Sequence, residues 1–345
     1  MTPAKRYAPL VFILALLLAL SACDKADNAV QNPKRSVYYW RTVWNPDPDE
    51  LRFIADHHIE RVYLRLFDVV VRDGRPMPNA TIRFSAPIPE GIEWVPTVFI
   101  TENCLRHSID TLAHTFVKRI IQIGETNDLP TFSEIQIDCD WTARSQAAYY
   151  RFLAAVDSCL KPHDIRLSAT IRLHQLSMTP PPVDYGVLMV YNTGDYRTPS
   201  ERNPVLDYRD VHPYLKHLAA YNLPLCAAYP IFDWQLLYRG NEFRAILRDE
   251  NLDDTLRYRH IKDNIYIART THDIPQINDD GTETTWVAVG DTILHWQPAA
   301  PDIIRVMDAL EKQRPSINRQ TILYSLQSKH LNSYSTSDYE TILCP

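Results

Sequence analysis

Glycine is scarce in this chain, with 8 residues in 345 against 25 prolines. Phosphate-cradling loops need clustered glycines, and neither GxGxxG nor GxxxxGK[ST] occurs, so dinucleotide-binding and P-loop chemistry are excluded. GxSxG is also absent, which removes the strained elbow that presents a Ser-His-Asp nucleophile. The six cysteines form no CxxC pair and show no metal-ligand spacing, so the sequence indicates no zinc site and no disulfide scaffold. Cys139 and Cys226 sit in apolar runs, where a buried thiol is expected. Positive charge is not in excess: 36 Lys and Arg against 42 Asp and Glu give a net −6, which offers no field for nucleic acid. There are no internal repeats or low-complexity tracts, and nothing implies a cofactor.

One long uncharged apolar run is present, Leu10 to Leu20, preceded by Lys5 and Arg6 and followed by Ser21-Ala22-Cys23. It is too short to span a bilayer. The pattern resembles a bacterial lipoprotein signal peptide over residues 1–22, cleaved before Cys23 with lipidation of that thiol. Residues 23–35 are polar and read as a tether. The expected location is the bacterial cell envelope, held to a membrane by the N-terminal lipid. Asp24 resembles an inner-membrane retention signal of enteric bacteria, but inner and outer membrane both stay open.

Residues 36–345 read as one large domain. Eight strand-like runs can be counted: 36–44, 61–71, 94–100, 134–142, 166–174, 185–192, 225–232 and 321–326. Helical spacing over 49–58, 108–123, 143–160, 211–222 and 302–313 separates many of them. Alternating strands and helices predict an α/β fold, a (β/α)8 TIM-type barrel. The connection 235–300 is too long for a simple loop and contains short strand-like runs, so it reads as a β-rich insertion on the C-terminal rim.

The organising stretch is Glu134 to Thr142. Ile135, Ile137 and Cys139 alternate with Gln136, Asp138 and Asp140, so two carboxylates share a face about 7 Å apart. The same parity applied to the other strands aims further side chains at one mouth. Arg65, sharing a face with Tyr63 and Phe67, comes from the second strand, with Asp68 near its end. Arg172 and His174 come from the fifth strand, Met189, Tyr191 and Asn192 from the sixth, and Asp233 and Trp234 from the end of the seventh. Acids, bases and aromatic rings on one rim suit a sugar-like ligand. Glycoside hydrolysis needs two carboxyl groups, one of them protonated. Like-charge repulsion between Asp138 and Asp140 would raise the pKa of one. Arg65 or Arg172 could equally neutralise Asp138, and His174 could be a hydrogen-bonded core residue. Asp138, Asp140 and His174 have no fixed spacing that would make a metal site.

Ile137-Asp138-Cys139-Asp140-Trp141 resembles the fourth-strand Asp-x-Asp-x-Glu motif of chitinase-like family 18 glycoside hydrolases. Leu188-Met189-Val190-Tyr191-Asn192 is similar to that family's sixth-strand Met-x-Tyr-Asp segment. In this chain the motif's catalytic acid falls on Thr142 and its first Asp on Ile135. The resemblance therefore implies a descendant without the family's substrate-assisted acid. Tyr39-Trp40-Arg41, Ile137 to Asp140 and Leu167 to Thr170 also resemble an uncharacterised bacterial family of barrel-like lipoproteins.

Two expectations follow. The first is a glycoside-hydrolase-like lipoprotein acting on a glycan, with Asp140 as acid, Asp138 tuning it and Asp233 opposing. Tyr191, Trp141 and Trp234 would hold sugar rings, and Arg65, Arg172, His174 and Asn192 would bind polar groups. The second is a catalytically silent glycan-binding or envelope-assembly lipoprotein, which Thr142 favours.

Overall fold

The computed structural model describes residues 34–278 and 281–344. The expected signal peptide and Cys23 lie outside the described residues.

Eight parallel strands close into a barrel: β1 Lys34–Tyr39, β2 Arg61–Arg72, β3 Glu93–Ile100, β4 Glu134–Asp138, β5 Arg166–Arg172, β6 Tyr185–Met189, β7 Leu225–Pro230 and β8 Gln320–Tyr324. Closure is visible in β1, which pairs with β2 (Val37 opposite Val62) and with β8 (Val37 opposite Leu323). Lys34 and Arg35, assigned above to the tether, are the first residues of β1.

Five longer helices pack outside: α1 Pro48–Asp56, α2 Ile109–Thr126, α3 Gln146–Leu160, α4 Tyr208–Leu218 and α5 Ala300–Gln313. Asp47 starts α1 with a capping box, accepting from the Asp49 and Glu50 N–H groups while Glu50 reaches back to the Asp47 N–H. The side chains between strands and helices form the main core, which includes Ile135, Ile137, Leu167, Ile171 and Leu188. Inside the barrel, Tyr38, Tyr63, Val95, Val187, Cys226 and Ile322 form a second core. Parity sorts the two: successive side chains on a strand point to opposite faces.

The alternation of strand and helix breaks twice. β2 turns through Asp73 and Gly74, both at positive φ, into the antiparallel strand Arg75–Asn79. An Asp-Gly turn of this kind matches the twist of a hairpin, and Pro76 and Pro78 could not continue a helix. After β5 a single 3₁₀ turn, Leu173–Ser177, stands in place of an α-helix, and Pro180 to Pro182 follow it. The β5 strand ends at Arg172 because the Gln175 side chain accepts from the Arg172 N–H (2.8 Å) and donates to the Trp141 carbonyl (2.9 Å). His174 is therefore on this turn and not on a strand.

Parity also fails once inside β2. The pairing with β3 shifts between Arg65 and Phe67. A bulge reverses which side chains face inward. Phe67, expected beside Tyr63 and Arg65, joins the outer core. Asp68 takes the place beside Arg65, with its Oδ1 accepting from Arg65 Nε at 2.9 Å.

Between β7 and α5 the chain builds a five-stranded antiparallel sheet. Its order is Glu242–Leu247, Trp234–Arg239, Thr292–Trp296, Ile265–Ala268 and Tyr258–Lys262. A separate hairpin, His272–Asn278 with Gly281–Val287, stands beside it. Among the described residues no helix is long and apolar enough to cross a membrane.

Candidate functional site

The parity that points Tyr38 and Tyr63 into the barrel carries up each strand to the C-terminal mouth. Trp40 follows Tyr38, Tyr191 lies just beyond β6, and Tyr324 ends β8. Their rings meet: Tyr191 stacks on Tyr324 with centroids 4.7 Å apart, and Trp40 lies 5.9 Å from Tyr324. Phe232, from beyond β7, meets Tyr191 edge-on at 5.9 Å. The Arg65 guanidinium sits 5.7 Å over the Trp40 ring. Edge-to-face and offset contacts of this kind fix ring orientation, so the mouth has a firm aromatic floor.

Above that floor the insertion leaves a cavity of about 1490 Å³ between barrel and sheet. Of the residues singled out from sequence, Arg65, Tyr191, Asn192, Asp233 and Trp234 line it. Asp138, Asp140, Trp141, Arg172 and His174 do not.

Three of those five are linked to one another, and their charges act on the floor ring Tyr191. Asp138 is buried, and its Oδ1 accepts from Thr170 Oγ1 at 2.6 Å and Arg172 Nη2 at 2.9 Å. Asp140 is 65 % exposed and accepts from Arg172 Nε at 2.7 Å. One guanidinium thus bridges both acids, and the two carboxylates expected to repel one another form a salt-bridged triad with it. Trp141, expected to hold a sugar ring, has no exposed surface. It stacks on Tyr149 and meets Tyr150 edge-on. His174 projects outward, where partial desolvation and then the Arg172 charge hold its imidazole below the ordinary value. Thr142, at the acid position of the resembled motif, donates its hydroxyl to Glu102 Oε1 at 2.6 Å.

Asp233 is at the junction of barrel and insertion. Its Oδ2 accepts from His295 Nε2 at 2.8 Å and its Oδ1 from His330 Nδ1 at 3.1 Å. Burial pushes the carboxyl up, but the two imidazole hydrogen bonds outweigh it and hold Asp233 far below the usual carboxylate range. It therefore stays ionised and is a poor proton donor. Several charges on the cavity wall are paired: Lys329 with Asp249, Arg65 with Asp68 and Arg41 with Glu50.

Sequence reasoning missed Trp40, Phe232, Tyr324 and His330 as cavity residues. Parity along the first and eighth strands could have found Trp40 and Tyr324. His330 comes from the segment after β8, where no local pattern marks it.

At the opposite, N-terminal end of the barrel, Arg61 Nη1 lies 3.2 Å from Glu134 Oε2, and Ser168 and Tyr185 donate to Glu134 Oε1. Burial pushes the Glu134 carboxyl up despite these partners. This network plugs the bottom of the barrel, the face that serves stability in such folds.

The fold has clear relatives. The spore cortex-lytic enzyme SleL of Bacillus megaterium superposes over 90 % of this chain and 74 % of its own, with a TM-score of 0.55 and 12 % identity. A chitinase from Chromobacterium violaceum covers 90 % of this chain and 98 % of its own at TM-score 0.54 and 13 % identity. The C-terminal domain of a putative chitinase from Desulfitobacterium hafniense matches at TM-score 0.54 and 10 % identity, over 90 % of this chain and all of that domain. The chain shares the glycoside-hydrolase-like barrel of these proteins. No family model and no curated protein sequence matches it.

Proposed function

We propose that this protein is a lipid-anchored envelope protein that binds an oligosaccharide in the cavity between barrel and insertion, without hydrolysis through the rim carboxylates. The observation that carries this reading is the cavity's make-up. Aromatic faces from Trp40, Tyr191, Phe232 and Tyr324 floor it, and Arg65 and Lys329 beside them are paired with Asp68 and Asp249. Rings beside Asn192 and Gln327 suit a hydroxylated ligand whose apolar faces stack while its hydroxyls meet those side-chain amides. The relatives that are chitinases by name support a glycan as the ligand class.

The alternative, hydrolysis through rim carboxylates, draws on the same fold resemblance. Against it, Asp138 and Asp140 are tied to Arg172 and do not line the cavity, Thr142 replaces the acid, and Asp233 is clamped between two histidines. Fold alone does not choose between the two, because this barrel hosts many chemistries.

The test is calorimetric titration of the full-length protein in detergent with bacterial, host and plant glycans, with products assayed in parallel. Saturable binding that Trp234→Ala weakens, without product, supports the reading. Product formation that Asp140→Asn abolishes replaces it with the hydrolase. For the anchor, Cys23→Ala should release the protein from the membrane fraction. Retention would show that no lipid on Cys23 holds it.

A further inference from the structure

The five-stranded sheet of the insertion is open, so its two outer strands each keep one unpaired edge. On one side, Tyr258–Lys262 carries exposed Arg259, His260 and Lys262. Charged side chains of this kind guard an edge against pairing. On the other side, Glu242–Leu247 ends in Ala245, Ile246 and Leu247, without a charge. These three line the cavity in succession, and Arg248, Asp249 and Glu250 continue the line. Successive side chains on a strand point to opposite faces, so a run that borders one space without interruption presents its edge to it.

The register tells which backbone groups face out. Arg239 and Glu242 flank a two-residue turn, which makes them a pair that exchanges both hydrogen bonds. Bonded and non-bonded pairs then alternate. Arg244 is the extra residue of a bulge, after which Leu237 lies opposite Ala245 and Leu236 opposite Ile246. Leu236 with Ile246 is a non-bonded pair, so the Ile246 N–H and C=O point away from the sheet. Arg248, two residues on and turned the same way, gives its N–H to Gln276 Oε1 at 3.1 Å. Ile246 itself is half-buried, and among the described residues no backbone partner outside the sheet reaches its N–H or C=O.

A donor and an acceptor on one side of one residue select their complement. A single trans amide points its N–H and C=O in opposite directions, so it satisfies one of the two. An amino-acid residue in an extended chain carries both on the same side and satisfies both. Extended peptides dock on open sheet edges in this way. We infer that the edge at Ile246 binds an extended peptide carried by the bound glycan. The barrel mouth stacks the sugar rings, and the insertion takes the peptide as an added strand. This inference rests on the glycan-binding reading proposed above.

The experiment titrates the full-length protein in detergent with N-acetylglucosaminyl-N-acetylmuramyl tetrapeptide and with the same disaccharide lacking the peptide. A third set of probes has each peptide N–H methylated in turn. Wild type should bind the peptide-bearing probe roughly tenfold more tightly, the worth of the two backbone hydrogen bonds. Methylation at one position should abolish that gain. Ile246→Pro removes the outward N–H where an edge strand accepts proline, and should bring the preference near unity. Thermal unfolding shows whether this variant is folded, and the methylated probes decide the matter if it is not. Equal affinity of wild type for the two unmodified probes overturns the inference and leaves the glycan reading standing. A gain that survives every methylation does the same. Binding of the peptide-bearing probe alone, lost on methylation, supports the edge and overturns the aromatic floor as a sugar site. Failure of every probe overturns the inference, while the wider glycan panel still decides the glycan reading.

Discussion

Arg172 holds Asp138 and Asp140 at once, through Nη2 at 2.9 Å and Nε at 2.7 Å. This relationship decides how the acids should be read. The motif that most resembles a catalytic pair carries a cation between its members, and the buried member is the one that depends on it.

Removing that cation strands a buried carboxylate. Arg172→Met should destabilise the fold by about 3–5 kcal/mol, as expected when one partner of a buried pair is lost. Asp140 is exposed, so Asp140→Asn should cost less than about 1 kcal/mol. Urea unfolding of both variants checks this. Equal losses would mean that Asp138 does not depend on Arg172.

Asp233 should leave a signature in acid. Its folded carboxyl lies below the unfolded value, so its bonds to His295 and His330 stabilise the fold above pH 3.8, the ordinary aspartate value, and that contribution fades as pH falls further. Asp233→Asn should cost about 3 kcal/mol at pH 7, two hydrogen bonds to a charged acceptor being lost. The gap to wild type should narrow at pH 3. A gap independent of pH would contradict the ionised clamp.

Glu134 predicts the opposite trend. Its folded carboxyl lies above the ordinary value of 4.5, so its contribution is full below that pH and is lost as pH rises through the folded value. The stability of Glu134→Gln relative to wild type should therefore improve between pH 4.5 and 8. Parallel curves would show that Arg61 fully compensates the buried charge.

The parts of the fold that were legible in the sequence were those governed by period. Eight strands, the main helices and the inward placement of Tyr63, Arg65 and Asp138 follow from side-chain alternation. What failed was set by contacts between distant residues. The bulge after Arg65 turned Phe67 outward while Asp68 stayed beside Arg65 as expected, and Gln175 ended β5 before His174. Trp141 looked like a rim residue because Asp140 is one, but the strand had already ended at Asp138 and its ring turned in against Tyr149. The acids at Asp138 and Asp140 were found, but their engagement by Arg172 was one of two open alternatives. His330 and Gln276 reach the cavity from segments far away in sequence, which no local pattern announces.

Aromatic contact should dominate affinity. Trp234→Ala, at the junction of floor and insertion, should weaken glycan binding by roughly tenfold, the loss typical of truncating an anchoring ring. Asp140→Asn should leave binding unchanged, since Asp140 does not line the cavity. Titration of each variant with the best-binding glycan separates the two sites.

The most direct test of the central claim is a single long calorimetric titration of wild type with that glycan, with the mixture analysed afterwards for cleaved product. Saturable heat and intact ligand are the predicted result. Slow continuing heat with product, abolished in Asp140→Asn, would contradict the claim and restore hydrolysis through the rim carboxylates.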